Sequence, residues 1–209
     1  MALRISAVVL LLLAPLASMA QAPAGDAKRG QVLAYTCNGC HAIPNYKNVY
    51  PTYSVPKLHG QRPEYLLAAL KAYKSGERSH GTMHSQASSM NEQDMADVAA
   101  YLSGPEVLTV SKHDVPATAR PKASEVCLAC HGTNGVGITA DYPTLSGQHR
   151  DYIERALHDY KMGGRKNVIM VGMAATLTRE DIEQLAAYYA SQEPALQVVP
   201  KKKFFFSSN

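Results

Sequence analysis

The sequence predicts an all-α protein made of two tandem domains. Three observations carry that expectation: an internal repeat, apolar residues at helical spacing, and no convincing stretch of period-two alternation. CNGCH at 37–41 recurs as CLACH at 127–131, an offset of 90. From Pro56 onward the offset is 87, pairing Pro56, Leu58, Gly60, Gln61, Tyr65, Tyr73, Arg78 and Met83 with Pro143, Leu145, Gly147, Gln148, Tyr152, Tyr160, Arg165 and Met170. The offset falls by three because the first copy carries three extra residues between its His and its Pro.

Each copy reads as helix, loop, helix, loop, helix. Leu66, Leu70 and Tyr73 fall at i, i+4, i+7, as do Ile153, Leu157 and Tyr160, which gives each middle helix an apolar stripe. Asn91 with Asp94, and Thr178 with Asp181, read as N-caps with an acidic partner three residues on. The units are placed at 21–103 and 122–194. Between them, 104–121 contains three prolines and reads as an extended linker. Residues 195–209 are set apart as a tail, and its end, PKKKFFFSSN, has no counterpart in the first copy and reads as disordered. A basic, aromatic end of this kind can also touch a membrane surface.

Residues 1–20 read as an export signal. Arg4 precedes the apolar run Val8–Leu13, and Ser18 and Ala20 supply small residues for cleavage near Ala20. The uncharged run is shorter than the roughly 18 to 20 residues of a membrane span. The expected compartment lies outside the cytoplasm.

With 209 residues, 46% of them hydrophobic and 18% charged, the composition is that of an ordinary globular chain. A net charge of +4, spread along the chain, gives no case for a nucleic-acid partner. The phosphate-loop, dinucleotide, serine-hydrolase and zincin motifs are absent. A unit of this size with a few short helices has a thin core, so something must fill it.

The repeated C-x-x-C-H answers that need. Two thiols three positions apart can reach the two vinyl groups of one porphyrin, and the adjacent His then lies under the iron. Four Cys in an exported chain could instead form disulfides, and a zinc site or a thioredoxin-like C-x-x-C must also be weighed. The His after the second Cys, in both copies, favours two covalently bound haem c groups on Cys37, Cys40, Cys127 and Cys130, with His41 and His131 as proximal ligands. Met83 and Met170 are the equivalent candidates for the sixth ligand. Met173 competes in the second copy, and His80 and His84 flank Met83 in the first. A carbonyl at Pro56 or Pro143 could accept the proximal imidazole N–H, and Arg78 and Arg165 could meet haem propionates.

Tandem C-x-x-C-H units, the P-x-L-x-G-Q element and a Met seven residues before a helix containing A-A-Y resemble the dihaem cytochrome c4 family, over about 26–192. The resemblance implies two cytochrome c folds packed face to face, each iron with His and Met ligands. It also implies single-electron transfer in the periplasm, between redox proteins and often toward a terminal oxidase. A monomer is expected, and a Met candidate in both copies with no acid/base cluster counts against a dihaem enzyme such as a peroxidase. An electron-accepting subunit of a flavocytochrome or dehydrogenase is the alternative. The loop AIPNYKNVYPTYS (Ala42 to Ser54) and the KKKFFF end depart from the family pattern.

Overall fold

A computed structural model of the chain describes residues 23–105 and 119–200. The first unit contains α1 (Ala27–Leu33), α2 (Asn38–His41), α3 (Pro63–Ser75), α4 (Gly81–Ser88) and α5 (Glu92–Ser103). The second starts with a 3-10 turn, Lys122–Ser124, and continues through α6 (Glu125–His131), α7 (Arg150–Lys161), α8 (Val168–Ala175) and α9 (Arg179–Ser191). Among the described residues there are isolated β-bridges only. The fold is all-α, as expected, but the helices outnumber three per unit. The methionine segments form short helices of their own, α4 and α8. Their N-caps, His80 and Asn167, accept the amide protons of Met83 and Met170. Eight residues of nearly uniform polarity carry no apolar stripe, so periodicity does not report them.

The longer helices follow their sequence signals. α3 opens with Pro63 in its first turn, buries Leu66, Leu67 and Leu70, and stops at Gly76. α5 and α9 open with the two expected capping boxes, Asn91–Asp94 and Thr178–Asp181, each contributing about 1 kcal/mol. α1 crosses α5 at Gly30, where a Cβ would stand 1.9 Å from the Asp97 carbonyl oxygen. Beside that crossing Asp97 is 1% exposed. Its carboxylate accepts from the Asp26 amide (2.8 Å), Gln93 (2.8 Å) and the Arg29 guanidinium.

The units meet around a pseudo-two-fold axis. Gln61 exchanges two hydrogen bonds with the backbone of Thr144, at 3.0 and 2.9 Å. Its repeat mate Gln148 does the same with the backbone of Lys57, at 3.0 and 3.0 Å. Lys57 and Thr144 are themselves repeat mates, so the interface is isologous within one chain. Near the axis the Ser79 amide donates to Gly164 O (2.7 Å) and the Lys166 amide to Glu77 O (2.9 Å).

Two further segments join the units. The loop at 42–54 reaches the second unit, where the Asp151 carboxylate accepts from the amide and hydroxyl of Ser54, both at 3.0 Å, and from Lys47 at 3.3 Å. The other is a strap. Of the stretch set apart as a tail from residue 195, the described part, 195–200, is packed: Ala195, Leu196 and Val199 are buried. Gln197 and His59 exchange backbone bonds at 3.1 and 2.8 Å, and the Val199 amide donates to His41 O at 3.1 Å. Val199 joins the first unit's core, with Leu66, Leu70, Met95, Val98 and Leu102. Strap and second unit touch at Gly147 (φ +73°), where a Cβ would come within 2.5 Å of Pro194 Cα. A run without helical or alternating pattern gives no sequence sign of this docking. The export signal, the KKKFFF end and most of the linker lie outside the described residues.

Candidate functional site

Each unit has an apolar cleft beside its C-x-x-C-H motif. The first spans about 1040 Å³, the open space at its mouth included, and brings together Cys37, Cys40, His41 and Met83. The second spans about 630 Å³ on the same measure and brings together His131 and Met170; Cys127 and Cys130 precede His131 on α6. Each cleft lies beside a small apolar cluster in which the helices pack on one another, α1 and α3 on α5 in the first unit and α7 on α9 in the second. His80 lines the first cleft, whereas Met173 is absent from the lining of the second.

The proximal histidines are oriented alike. His41 Nδ1 lies 3.0 Å from Pro56 O and His131 Nδ1 2.9 Å from Pro143 O. A carbonyl can only accept, so Nδ1 carries the proton and Nε2 keeps its lone pair free for a metal. Burial lowers both imidazole pKa values, outweighing those carbonyl bonds. Both rings are therefore held neutral, the form that ligates iron. Burial also raises the Cys37 and Cys127 thiols, and no disulfide joins either pair. Among the described residues no group of three or more His, Cys, Asp or Glu forms a metal cage.

Between the clefts, at the axis, lie Arg78 and Arg165, 7% and 6% exposed. The Tyr152 hydroxyl accepts from both, at 3.2 and 3.3 Å. Arg78 stacks 4.6 Å over Tyr73, and Arg165 5.5 Å over the repeat mate Tyr160. Burial alone would raise the Tyr152 phenol, but the two guanidiniums reverse that and bring it to about 8. Arg165 has a distant carboxylate, Asp159 at 3.8 Å. Among the described residues Arg78 forms no salt bridge, and its Nε is buried without a partner. Two buried cations short of anions, each lining one of the two apolar clefts, suit the paired carboxylates of haem propionates. The donor set, the clefts and this unmatched charge all fit haem.

Tyr152, which lines both clefts, and the Gln61/Gln148 clasp were not singled out from sequence. The signal was present, because both glutamines and both tyrosines recur at the same offset. What the repeat could not disclose is that equivalent residues face each other.

The Cytochrome c family pattern matches residues 27–104 and 122–193. Cytochrome c4 of Pseudomonas aeruginosa is 35% identical over 87% of this chain and 95% of its own. The crystal structure of reduced recombinant cytochrome c4 from Pseudomonas stutzeri superposes with a TM-score of 0.64 at 31% identity, covering 81% of this chain and all of that one. The thiosulfate dehydrogenase electron acceptor of Stutzerimonas stutzeri is 27% identical, over 80% of this chain and 82% of its own. Among the described residues no helix is long and apolar enough to cross a membrane. With two cytochrome c domains, two clefts that fit covalent haem c and relatives matched over nearly their whole length, the chain belongs to the cytochrome c4 branch of the cytochrome c family and is a dihaem electron carrier, not an enzyme.

Proposed function

We propose that the chain passes single electrons between redox proteins in the periplasm, toward a terminal oxidase, as a monomer freed of residues 1–20. The observation that carries the reading is the repeated placement of a carbonyl-oriented His and a Met on one cleft, twice in one chain. The haem supplies the one-electron chemistry. Cys37 and Cys40, and Cys127 and Cys130, tether it by thioether bonds. His41 and His131, oriented by Pro56 and Pro143, would offer Nε2 to the iron. Met83 and Met170 would supply its thioether ligand, which favours the ferrous form and raises the potential. Leu66, Leu70, Ile153 and Leu157 keep water from the clefts, while Arg78 and Arg165 bind propionates at the axis.

Carbon monoxide tests the ligand set. The dithionite-reduced holoprotein should keep its visible spectrum under the gas, because both sixth positions are filled. A shift in half or all of the haem would overturn the Met83 or Met170 assignment.

One observation favours a second reading, an electron-accepting subunit of a dehydrogenase: the relative named as a thiosulfate dehydrogenase electron acceptor aligns over most of both chains. Stable co-purification with a dehydrogenase at native expression would select it over the free carrier.

A further inference from the structure

The two proximal histidines make the same hydrogen bond, but the segments that carry its two ends are held together differently. In the second unit the turn after His131 holds them. Gly135 O accepts from the Leu145 and Ser146 amides, at 2.7 and 3.1 Å, and so ties that turn to the segment containing Pro143. The approach is close: a Cβ on Gly135 (φ +71°) would stand 3.0 Å from Ser146 N.

In the first unit the segment after His41 is three residues longer and runs to Asp151 of the second unit. Among the described residues no backbone bond joins 42–54 to 57–61. His59 is the repeat mate of Ser146. Its amide donates to the strap instead, to Gln197 O at 3.1 Å, and its carbonyl accepts from the Gln197 amide at 2.8 Å. Two residues on, the Val199 amide donates to His41 O at 3.1 Å. Amides two apart leave the same edge of an extended chain, so one short run reaches both places. The strap thus grips the residue that donates the proximal hydrogen bond and the segment that accepts it, since Pro56 lies three residues before His59. His59 is also backed from the other side. The Gly60 amide donates to Ser103 O at 2.8 Å, and a Cβ on Gly104 would stand 2.2 Å from the His59 ring.

The strength of an Nδ1–H···O=C bond governs how basic the other ring nitrogen is, and so how well the imidazole stabilises ferric iron. An element that fixes both ends of that bond tunes the iron without touching it.

We infer that residues 195–200 are the positioning element of the first haem's proximal histidine, doing for His41 what the Gly135 turn does for His131. Gln197 and Val199 are its two points of action, and they act on one site only. The inference rests on the ligand set proposed above. Loosening the strap weakens the His41–Pro56 bond, lowers the basicity of Nε2 and favours ferrous iron, so the first potential rises. Loss of packing alone does the opposite, because water entering the cleft stabilises the charged ferric site. The sign of the shift therefore separates positioning from cover.

The test uses the full-length holoprotein, with each haem followed in a redox titration through the NMR signal of its axial methionine methyl. Val199→Pro removes the amide donor to His41 O and keeps an apolar side chain. It should shift the first haem's reduction equilibrium about fivefold toward ferrous, roughly 40 mV at 59 mV per tenfold, and leave the second unmoved. The His41 Nδ1–H of the reduced protein should exchange with deuterium about tenfold faster, while that of His131 keeps its rate. Val199→Ala, which trims the buried side chain and keeps the amide, should lower stability and leave the first equilibrium within about twofold. The wild type supplies a check that needs no variant to fold: its Val199 amide and His41 Nδ1–H should exchange through one opening, their rates rising together in mild denaturant. A first potential that stays or falls in Val199→Pro, equal shifts at both haems, or an equally large shift in Val199→Ala would overturn the inference. So would exchange at His41 Nδ1–H that is independent of the Val199 amide. Absence of axial methionine signals from the wild type would instead overturn the ligand set itself.

Discussion

Across the axis the two units are near copies, while on their outer rims they differ. At the axis Gln61 and Gln148, Arg78 and Arg165, and Tyr73 and Tyr160 make matching contacts. At the rims Thr36 and Gln86 stand where Val126 and Met173 stand in the other unit, and the segment between the proximal His and its Pro is three residues longer in the first unit. The difference has a physical origin. An isologous contact constrains each residue twice, because a change on one side faces an unchanged equivalent on the other. The rims face different surroundings and carry no such constraint. A duplicated domain thus stays symmetric where it meets itself.

The comparison can be broken most strongly at the axial methionines. Met83→Ala and Met170→Ala should each lower one of the two midpoint potentials by on the order of 0.1 V, a fraction of the ~0.8 V that axial ligation commands. A spectroelectrochemical titration would read this, with carbon monoxide binding to half the haem. If one variant moved both potentials, the units would be coupled more tightly than their contacts suggest.

Removing residues 195–209 should cost the first unit about 2–3 kcal/mol, chiefly through Val199, which is buried in its core. The second unit should unfold at its original midpoint. Denaturant titration followed at each haem distinguishes the two. Gln61→Ala and Gln148→Ala should each cost about 1–3 kcal/mol, since each leaves a buried backbone N–H and C=O unpaired. The symmetry requires the two losses to agree, and unequal values would show that the clasp is not isologous in energy.

The smallest effect concerns acid. The Asp26 amide and the Arg29 guanidinium hold the Asp97 carboxyl below its ordinary value, and Arg29 and the Asn91 amide do so for Asp94. A depressed folded pKa adds stability that is complete above the unfolded value of about 3.9 and is lost as pH falls through the folded value. Below about pH 4, therefore, the first unit should lose stability with a slope that Asp97→Asn flattens. Thermal melts from pH 6 to pH 2 would measure it.

The parts legible in sequence were those with a local or repeated signal. Long helices announce themselves by stripe and cap, so α3, α5, α7 and α9 were expected. The haem attachment sequence is contiguous, and recurrence at one offset separated Met83 and Met170 from the other methionines. The bonds from Arg78 and Arg165 to one Tyr152 hydroxyl and the Gln61–Thr144 clasp were not legible, because offset within a repeat says which residues are equivalent and nothing about the operator relating them. The strap was missed for another reason. Val199 contributes through burial against a core formed more than a hundred residues earlier, and neither propensity nor periodicity records so distant a partner.

The strap also makes the order of the two modules matter. Val199 donates to His41 O, so one wall of the first-made unit is supplied by residues translated near the end of the chain. Domains ordinarily complete themselves in the order of synthesis. Here the amino-terminal module cannot finish its core until the carboxy-terminal one has emerged. The later module in turn takes part of its cleft wall, Pro56, Leu58 and Tyr65, from the earlier one. A gene that reversed the two halves would encode the same pair of clefts around an unfinished core.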